Sequence, residues 1–204
     1  MRELRFIGIT GGVGAGKSEI LKYIAKHYMC EIYLADEVAK EVQRSGTECF
    51  CRLLRLMGEK VIGEDGELAR GKVAELIFAD SGMREQVNAI VHPAVKDYLL
   101  ERLESAKRNP KVELFFVEAA LLIETGYGEL VDEMWYIYAS DTIRSRRLRE
   151  ARGYDEEKSR RIMASQLSED EFRKASSFVI DNSGLLTDTY QQIDKKLEAF
   201  TWQE

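Results

Sequence analysis

Cysteine, histidine and proline are scarce in these 204 residues: three, two and two respectively. Cys30, Cys49 and Cys51 form no C-x-x-C pair and have no histidine at zinc-like spacing, which argues against a disulfide scaffold or a zinc module. On a helix Cys49 and Cys51 lie about 200° apart, so no bridge between them is expected. Free thiols suit a reducing compartment, and a cytoplasmic protein is the expectation. With two prolines, no internal repeat and no low-complexity stretch, no linker stands out. No apolar run approaches the roughly 18–20 residues that span a bilayer. The opening Met-Arg-Glu-Leu-Arg has neither a long apolar segment nor a small-residue cleavage site, so neither a leader nor a membrane partner is expected. A basic field is missing too: the formal charge of −6 argues against nucleic acid as a partner.

What remains is an ordinary soluble composition, 45% hydrophobic and 32% charged, long enough to bury a proper core. The pattern along the chain alternates. Leu4–Thr10 reads as a buried strand, Lys17–His27 as a helix, and Glu31–Ala35 as a second strand ending at Asp36. From Glu37 to Arg108 apolar residues recur at helical spacing, broken by the turn "GEDGEL", and Pro93 reads as a first-turn residue opening a further helix. Val112–Val117, Met134–Ala139 and Ser177–Ile180 are short apolar runs suited to parallel strands buried on both faces, and a last helix spans about Leu185–Phe200. Strands separated by helices predict an α/β fold with a doubly wound parallel sheet. The expected division is a core of 1–36 and 109–204 with a helical insertion at 37–108.

Glycine is spent lavishly in one place. Gly11, Gly12, Gly14 and Gly16 fall between the first strand and the first helix, and Gly11-x4-Gly16-Lys17-Ser18 fits the phosphate-loop pattern G-x-x-x-x-G-K-[ST]. Bare backbone turns successive N–H groups inward around phosphate oxygens, and the helix N-terminus adds orphan donors and partial positive charge. In such a loop Lys17 reaches the β- and γ-phosphates and the Ser18 hydroxyl ligates Mg²⁺. Chance would supply the pattern in roughly one such chain in a hundred, and would not require it at a strand-to-helix junction. The dinucleotide pattern G-x-G-x-x-G does not fit the spacing here, and no Asn-Lys-x-Asp is present to read guanine. Asp181-Asn-Ser-Gly184 matches D-x-x-G, but at the end of the fold.

Asp36 falls at the carboxyl end of the second strand, the edge where parallel sheets place ligands. Its carboxylate suits a hydroxyl's proton acceptor and, equally, a helix N-cap. Residues 144–161 hold eight basic side chains against four acidic ones. A helical lid at about 141–175 carrying arginines toward phosphate is one reading, and a solvated helix face is the other. Glu118 suits either a second metal-shell carboxylate or a strand-end cap. His92, before Pro93, is open between function and structure, and His27 reads as a cation at a helix C-terminus.

Taken in order, these segments resemble the dephospho-CoA kinase family over nearly the whole chain. "GITGGVGAGKS", "LADEVAKEV", the Asp65-Gly66-x-Leu68-x-Arg70 turn, "VHP" at 91–93, "EAALLIETG" at 118–126, "RRLREARG" and "VIDNSG" at 179–184 carry the likeness. It departs at Leu34, where the family commonly has the first Asp of Asp-Ala-Asp, at Ala120 where proline is usual, and at Glu118, which replaces Asp. The resemblance implies a P-loop kinase with five parallel strands in order 2-3-1-4-5 that uses ATP to phosphorylate the ribose 3′-hydroxyl of dephospho-CoA, with Mg²⁺. It places catalysis on Asp36, Lys17 and Arg147, and ATP on Gly12, Val13, Gly14, Ala15, Gly16, Lys17, Ser18, Glu19, Asn182 and Ser183. It places the acceptor on Arg70, His92, Leu121, Leu122 and Glu124, and the metal on Ser18. ATP and dephospho-CoA are the expected partners, in a monomer or small homo-oligomer.

Overall fold

The first strand, β1 (Arg5–Thr10), is buried from Phe6 onward because it lies in the middle of a sheet. The computed structural model describes residues 4–201, so the Met1–Glu3 opening lies outside the described residues. Five strands form one sheet in the order β2-β3-β1-β4-β5: β2 (Cys30–Leu34), β3 (Leu114–Glu118), β4 (Glu133–Tyr138) and β5 (Phe178–Asp181) join β1. The β1–β3, β1–β4 and β4–β5 ladders are parallel, with Phe6 opposite Phe115, Ile9 opposite Trp135 and Ile137 opposite Ile180. The expected sheet and its order are therefore found.

The chain separates into two compact units, Met1–Ile32 with Asn109–Glu204, and Tyr33–Arg108. In the first, α1 (Lys17–His27) and α9 (Leu186–Thr201) cover one face of the sheet. Ile20, Leu21 and Ile24 of α1 and Ile193 and Leu197 of α9 pack on Ile7, Ile9, Phe116, Trp135, Ile137 and Ile180. Trp135 is fully buried yet satisfied, its Nε1 donating to Glu133 Oε2 at 2.8 Å. Tyr23 and Tyr28 tie the two helices by donating to Asp194, at 2.8 Å to Oδ2 and 2.6 Å to Oδ1 respectively. The arginine-rich stretch folds as α6 (Asp141–Arg152), α7 (Glu156–Ala164) and α8 (Glu169–Lys174). A left-handed Gly153 closes α6, and a Ser168–Glu171 capping box opens α8.

The second unit holds α2 (Ala35–Val42), α3 (Glu48–Met57), α4 (Arg70–Ala79) and α5 (Ser81–Lys107). Two expectations fail here. Asp36 neither ends the second strand nor caps a helix: β2 stops at Leu34, α2 starts at Ala35, and the extended N-cap residue Leu34 makes no side-chain cap. Pro93 opens no helix either, because α5 runs unbroken for 27 residues with Pro93 inside it. Val87, Val91, Val95, Leu99 and Leu103 form an i,i+4 stripe on both sides of that proline, and burying the stripe outweighs the lost helical hydrogen bond. His92 is consequently an exposed mid-helix residue, not a junction.

All three cysteines are free, with Cys49 buried and Cys51 exposed. Among the described residues no helix is long and apolar enough to cross a membrane.

Candidate functional site

The loop between β1 and α1 is shaped from behind by residues far away in sequence. Gly16 has φ +93°, and a side chain there would run into the Asn182 amide, so a left-handed, unsubstituted residue is needed at the helix entrance. The carbonyl of Ala15 is the fixed point. It accepts from Asn182 Nδ2 at 2.8 Å and from Arg147 Nη1 at 3.1 Å, while Arg147 Nη2 donates to the Asn182 carbonyl at 2.9 Å. Asn182 is only 1% exposed and its Oδ1 accepts from the Thr189 hydroxyl at 3.0 Å, so both ends of its amide are occupied. Burial, with the charge of Arg146 beside it, lowers the Arg147 guanidinium from its ordinary value. It stays a cation, as arginine does in proteins.

Asn182→Ala tests this brace. It removes the bond from the Thr189 hydroxyl and one bond to the Ala15 carbonyl, and is expected to cost about 1–3 kcal/mol of stability in chemical denaturation. It is also expected to weaken nucleotide binding, since the loop loses its support.

Lys17 and Ser18 open α1 at its positive end. Lys17 Nζ donates to the Gly11 carbonyl at 2.7 Å and pairs with Glu118 Oε1 at 3.5 Å. The ammonium is thus folded back over its own loop, held at the carboxyl end of β3. The Ser18 hydroxyl is exposed and has no side-chain partner among the described residues. Glu19 is exposed and accepts from the Tyr190 hydroxyl at 3.3 Å. At the far side Ser183 Oγ accepts from the Ser140 N–H at 3.0 Å, and Asp181 Oδ1 accepts from the Ser183 N–H at 2.8 Å. Asp181 of the D-x-x-G match therefore closes a local turn.

Of the acceptor-side residues, Leu121 is 57% exposed, whereas Leu122 is fully buried beneath Gly8 of β1. Leu122 supports the 118–126 segment from within, and its side chain has no surface to offer a ligand. Glu124 is exposed.

Within the 33–108 unit, Asp36 and Arg70 line one open cavity of about 1340 Å³ between α2 and the 63–70 turn. Asp36 is exposed in the first turn of α2 with no side-chain hydrogen bond among the described residues. Lys40 is paired with Glu37 at 2.5 Å and Arg44 with Glu41 at 3.2 Å. Arg70, at the start of α4, makes no ion pair among the described residues. The turn beside it is built by Gly63 N–H to Glu67 carbonyl at 2.8 Å and by Asp65 Oδ1 accepting from the Glu67 N–H at 3.1 Å. His92 does not line this cavity.

Sequence reasoning overlooked two residues. Arg144 and Gln166 both bond to Val13 in the loop, across separations of 131 and 153 residues. The charge run hinted at Arg144 without giving it a direction, and nothing in the sequence pointed to Gln166.

A parallel sheet whose central strand runs through a glycine-rich turn into a helix, with lysine at that turn, is the framework of the P-loop nucleotide-binding proteins, and this chain is one of them. The family model for dephospho-CoA kinase matches residues 5–188, and the chain belongs to the dephospho-CoA kinase family. It is 35% identical to a dephospho-CoA kinase of Listeria monocytogenes over 95% of this chain and 96% of that one. Its fold is similar to a crystal structure from Thermus thermophilus, with TM-score 0.77 and 30% identity over 97% of this chain and 98% of that one. It is also similar to the dephospho-CoA kinase of Campylobacter jejuni, with TM-score 0.70 and 20% identity over 95% of each chain.

Proposed function

We propose that this protein transfers the γ-phosphoryl group of ATP to the ribose 3′-hydroxyl of dephospho-CoA, giving CoA and ADP in the last step of coenzyme A synthesis. Membership of the family over residues 5–188, with a formed phosphate loop, carries this reading. The triphosphate lies along Gly12–Ser18, with Ser183 bordering the adenine; Asn182, buried with its amide and backbone groups bonded, contributes to the ATP site through its brace on the loop. Lys17 leaves Gly11 and Glu118 for the β- and γ-oxygens. Transfer spreads negative charge over the migrating group, and Lys17 with Arg147 offsets it electrostatically, Arg147 through the loop it anchors.

Asp36 takes the role of proton acceptor for the attacking hydroxyl. An exposed carboxylate free of hydrogen bonds needs no partner displaced before it accepts a proton. Arg70 is the unpaired cation for the anionic part of the acceptor, in the 33–108 unit, with His92, Leu121 and Glu124 as further acceptor contacts. A lid formed by 141–175 excludes water, which limits hydrolysis of ATP without an acceptor.

Mg²⁺ fits this donor set. The Ser18 hydroxyl is exposed and has no side-chain partner among the described residues, and a hard, strongly hydrated ion is usually held by one or two protein oxygens together with nucleotide phosphates. The described residues contain no group of three acidic, histidine or cysteine side chains that would hold a metal alone. The ion supplies charge neutralisation of the phosphate oxygens. The location proposed is the cytoplasm.

The test is direct: purified protein is incubated with Mg-ATP and dephospho-CoA, and ADP is measured against an acceptor-free blank. ADP formation stoichiometric with CoA is expected. No ADP above the blank, or faster transfer to a nucleoside or nucleotide from a panel of such acceptors, overturns the reading.

A further inference from the structure

The phosphate loop is gripped at a second point, and that grip brings in a residue with no role so far. Val13 Cα lies between two peptide groups that are both bonded to side chains from elsewhere. Its N–H donates to Gln166 Oε1 at 3.0 Å, and its carbonyl accepts from Arg144 Nε at 2.9 Å. The two side chains are joined in turn, Arg144 Nη2 donating to the same Gln166 Oε1 at 2.8 Å. The result is a closed ring: Val13 N–H to Gln166, Gln166 to Arg144, Arg144 to Val13 carbonyl. Asp141 Oδ1, at 3.3 Å from Arg144 Nη1, steadies the guanidinium from its own helix.

Three features give the ring meaning. Both groups bonded to Gln166 are donors, so the amide must present its oxygen to them and turn Nε2 away. Its orientation is set by chemistry. Val13 is also the one substituted residue among Gly11, Gly12 and Gly14, the stretch where the backbone is least restrained by its own side chains. And Arg144 lies so close over Gly12 that a side chain there would meet its guanidinium, so the loop composition and the clamp are matched. Gln166 sits in the turn after α7, whereas Arg144 is on α6, so the ring fastens both ends of the arginine-rich segment to one loop residue.

We propose that Gln166 is a positioning residue for phosphoryl transfer: through its amide oxygen it locks the Val13 peptides and Arg144 into one unit that fixes where the γ-phosphate sits. It rests on the phosphoryl-transfer reading above. Gln166 need not touch the nucleotide. A misplacement of the reacting group by about 1 Å costs on the order of 10²-fold in rate, so a loop freed at Val13 loses turnover more than it loses nucleotide affinity.

The experiment compares wild type with Gln166→Ala, Gln166→Glu, Arg144→Ala and the Gln166→Ala/Arg144→Ala pair. Steady-state kinetics is read with Mg-ATP and dephospho-CoA, and amide exchange is read over the loop. Gln166→Ala is expected to lower kcat by about 10–100-fold, to change KM for ATP by less than about threefold, and to speed exchange at the Val13 amide. Gln166→Glu keeps an acceptor for both donors, so Val13 protection returns and kcat recovers to within about threefold of wild type, while KM for ATP rises because the added carboxylate repels the triphosphate. The double variant is expected to be no slower than Arg144→Ala alone, because the two act as one unit. An unchanged kcat in Gln166→Ala, a Gln166→Glu enzyme as slow as the alanine one, or additive losses in the double variant would each overturn the proposal. If wild type forms no ADP with dephospho-CoA, the activity reading fails on its own; the clamp is then judged by Val13 exchange, and unchanged exchange in Gln166→Ala removes it.

Discussion

Replacing Asp36 by asparagine is expected to leave ATP affinity nearly intact while turnover with dephospho-CoA falls by about 10²–10⁴-fold, the scale of a positioned proton acceptor. The substitution keeps shape and removes only basicity. Asp36 is exposed and unbonded in the first turn of α2, and it caps nothing. The fold has little to lose: the favourable placement of a carboxylate near a helix N-terminus is worth only about 0.3–1 kcal/mol. Nucleotide calorimetry, a stability curve and an initial-rate assay on the same preparation separate the possibilities. Turnover equal to wild type would leave Asp36 as a helix-stabilising acid and require another base.

Lys17→Ala is expected to damage both halves of the reaction. Removing one preorganised charge aimed at the transferring group costs about 10²–10³ in kcat. Loss of its contact with the β- and γ-phosphates lowers ATP affinity as well. The variant also removes the bond to the Gly11 carbonyl and the pairing with Glu118 that hold the side chain now. Its folded state must therefore be checked by circular dichroism and denaturation alongside the binding measurement. A variant that binds ATP as wild type does, or whose only defect is unfolding, would assign Lys17 to building the loop and not to the chemistry.

Local rules carried the reading of this chain as far as local rules reach. The glycines, Lys17 and Ser18 are neighbours in sequence because a strand-to-helix turn brings their backbone together, so the loop was legible residue by residue. The buried strands were legible as well, since a parallel strand covered on both faces writes itself as a nearly continuous apolar run. Asp36 was misjudged by a small margin with a large consequence. A helix start two residues earlier than expected removed its capping role, and helix boundaries are the least legible part of any sequence. Pro93 was misread because proline's local cost was weighed without the valine stripe that α5 buries on either side of it. Asn182, Arg144 and Gln166 belong to a third kind. Each acts on the loop from more than 130 positions away, and a single sequence records no such pairing.

The strand order also dictates the sequence in which the molecule can be assembled. β1 is made first, yet its two neighbours in the sheet, β3 and β4, begin at Leu114 and Glu133. Meanwhile residues 33–108 form a compact unit within one uninterrupted stretch of chain. On a ribosome this helical unit is complete before the nucleotide-binding sheet has acquired its middle, and the apolar β1 must wait with both edges open until the later strands arrive. The segment that grips phosphate is made well before Arg144, Arg147, Gln166 and Asn182, which secure it.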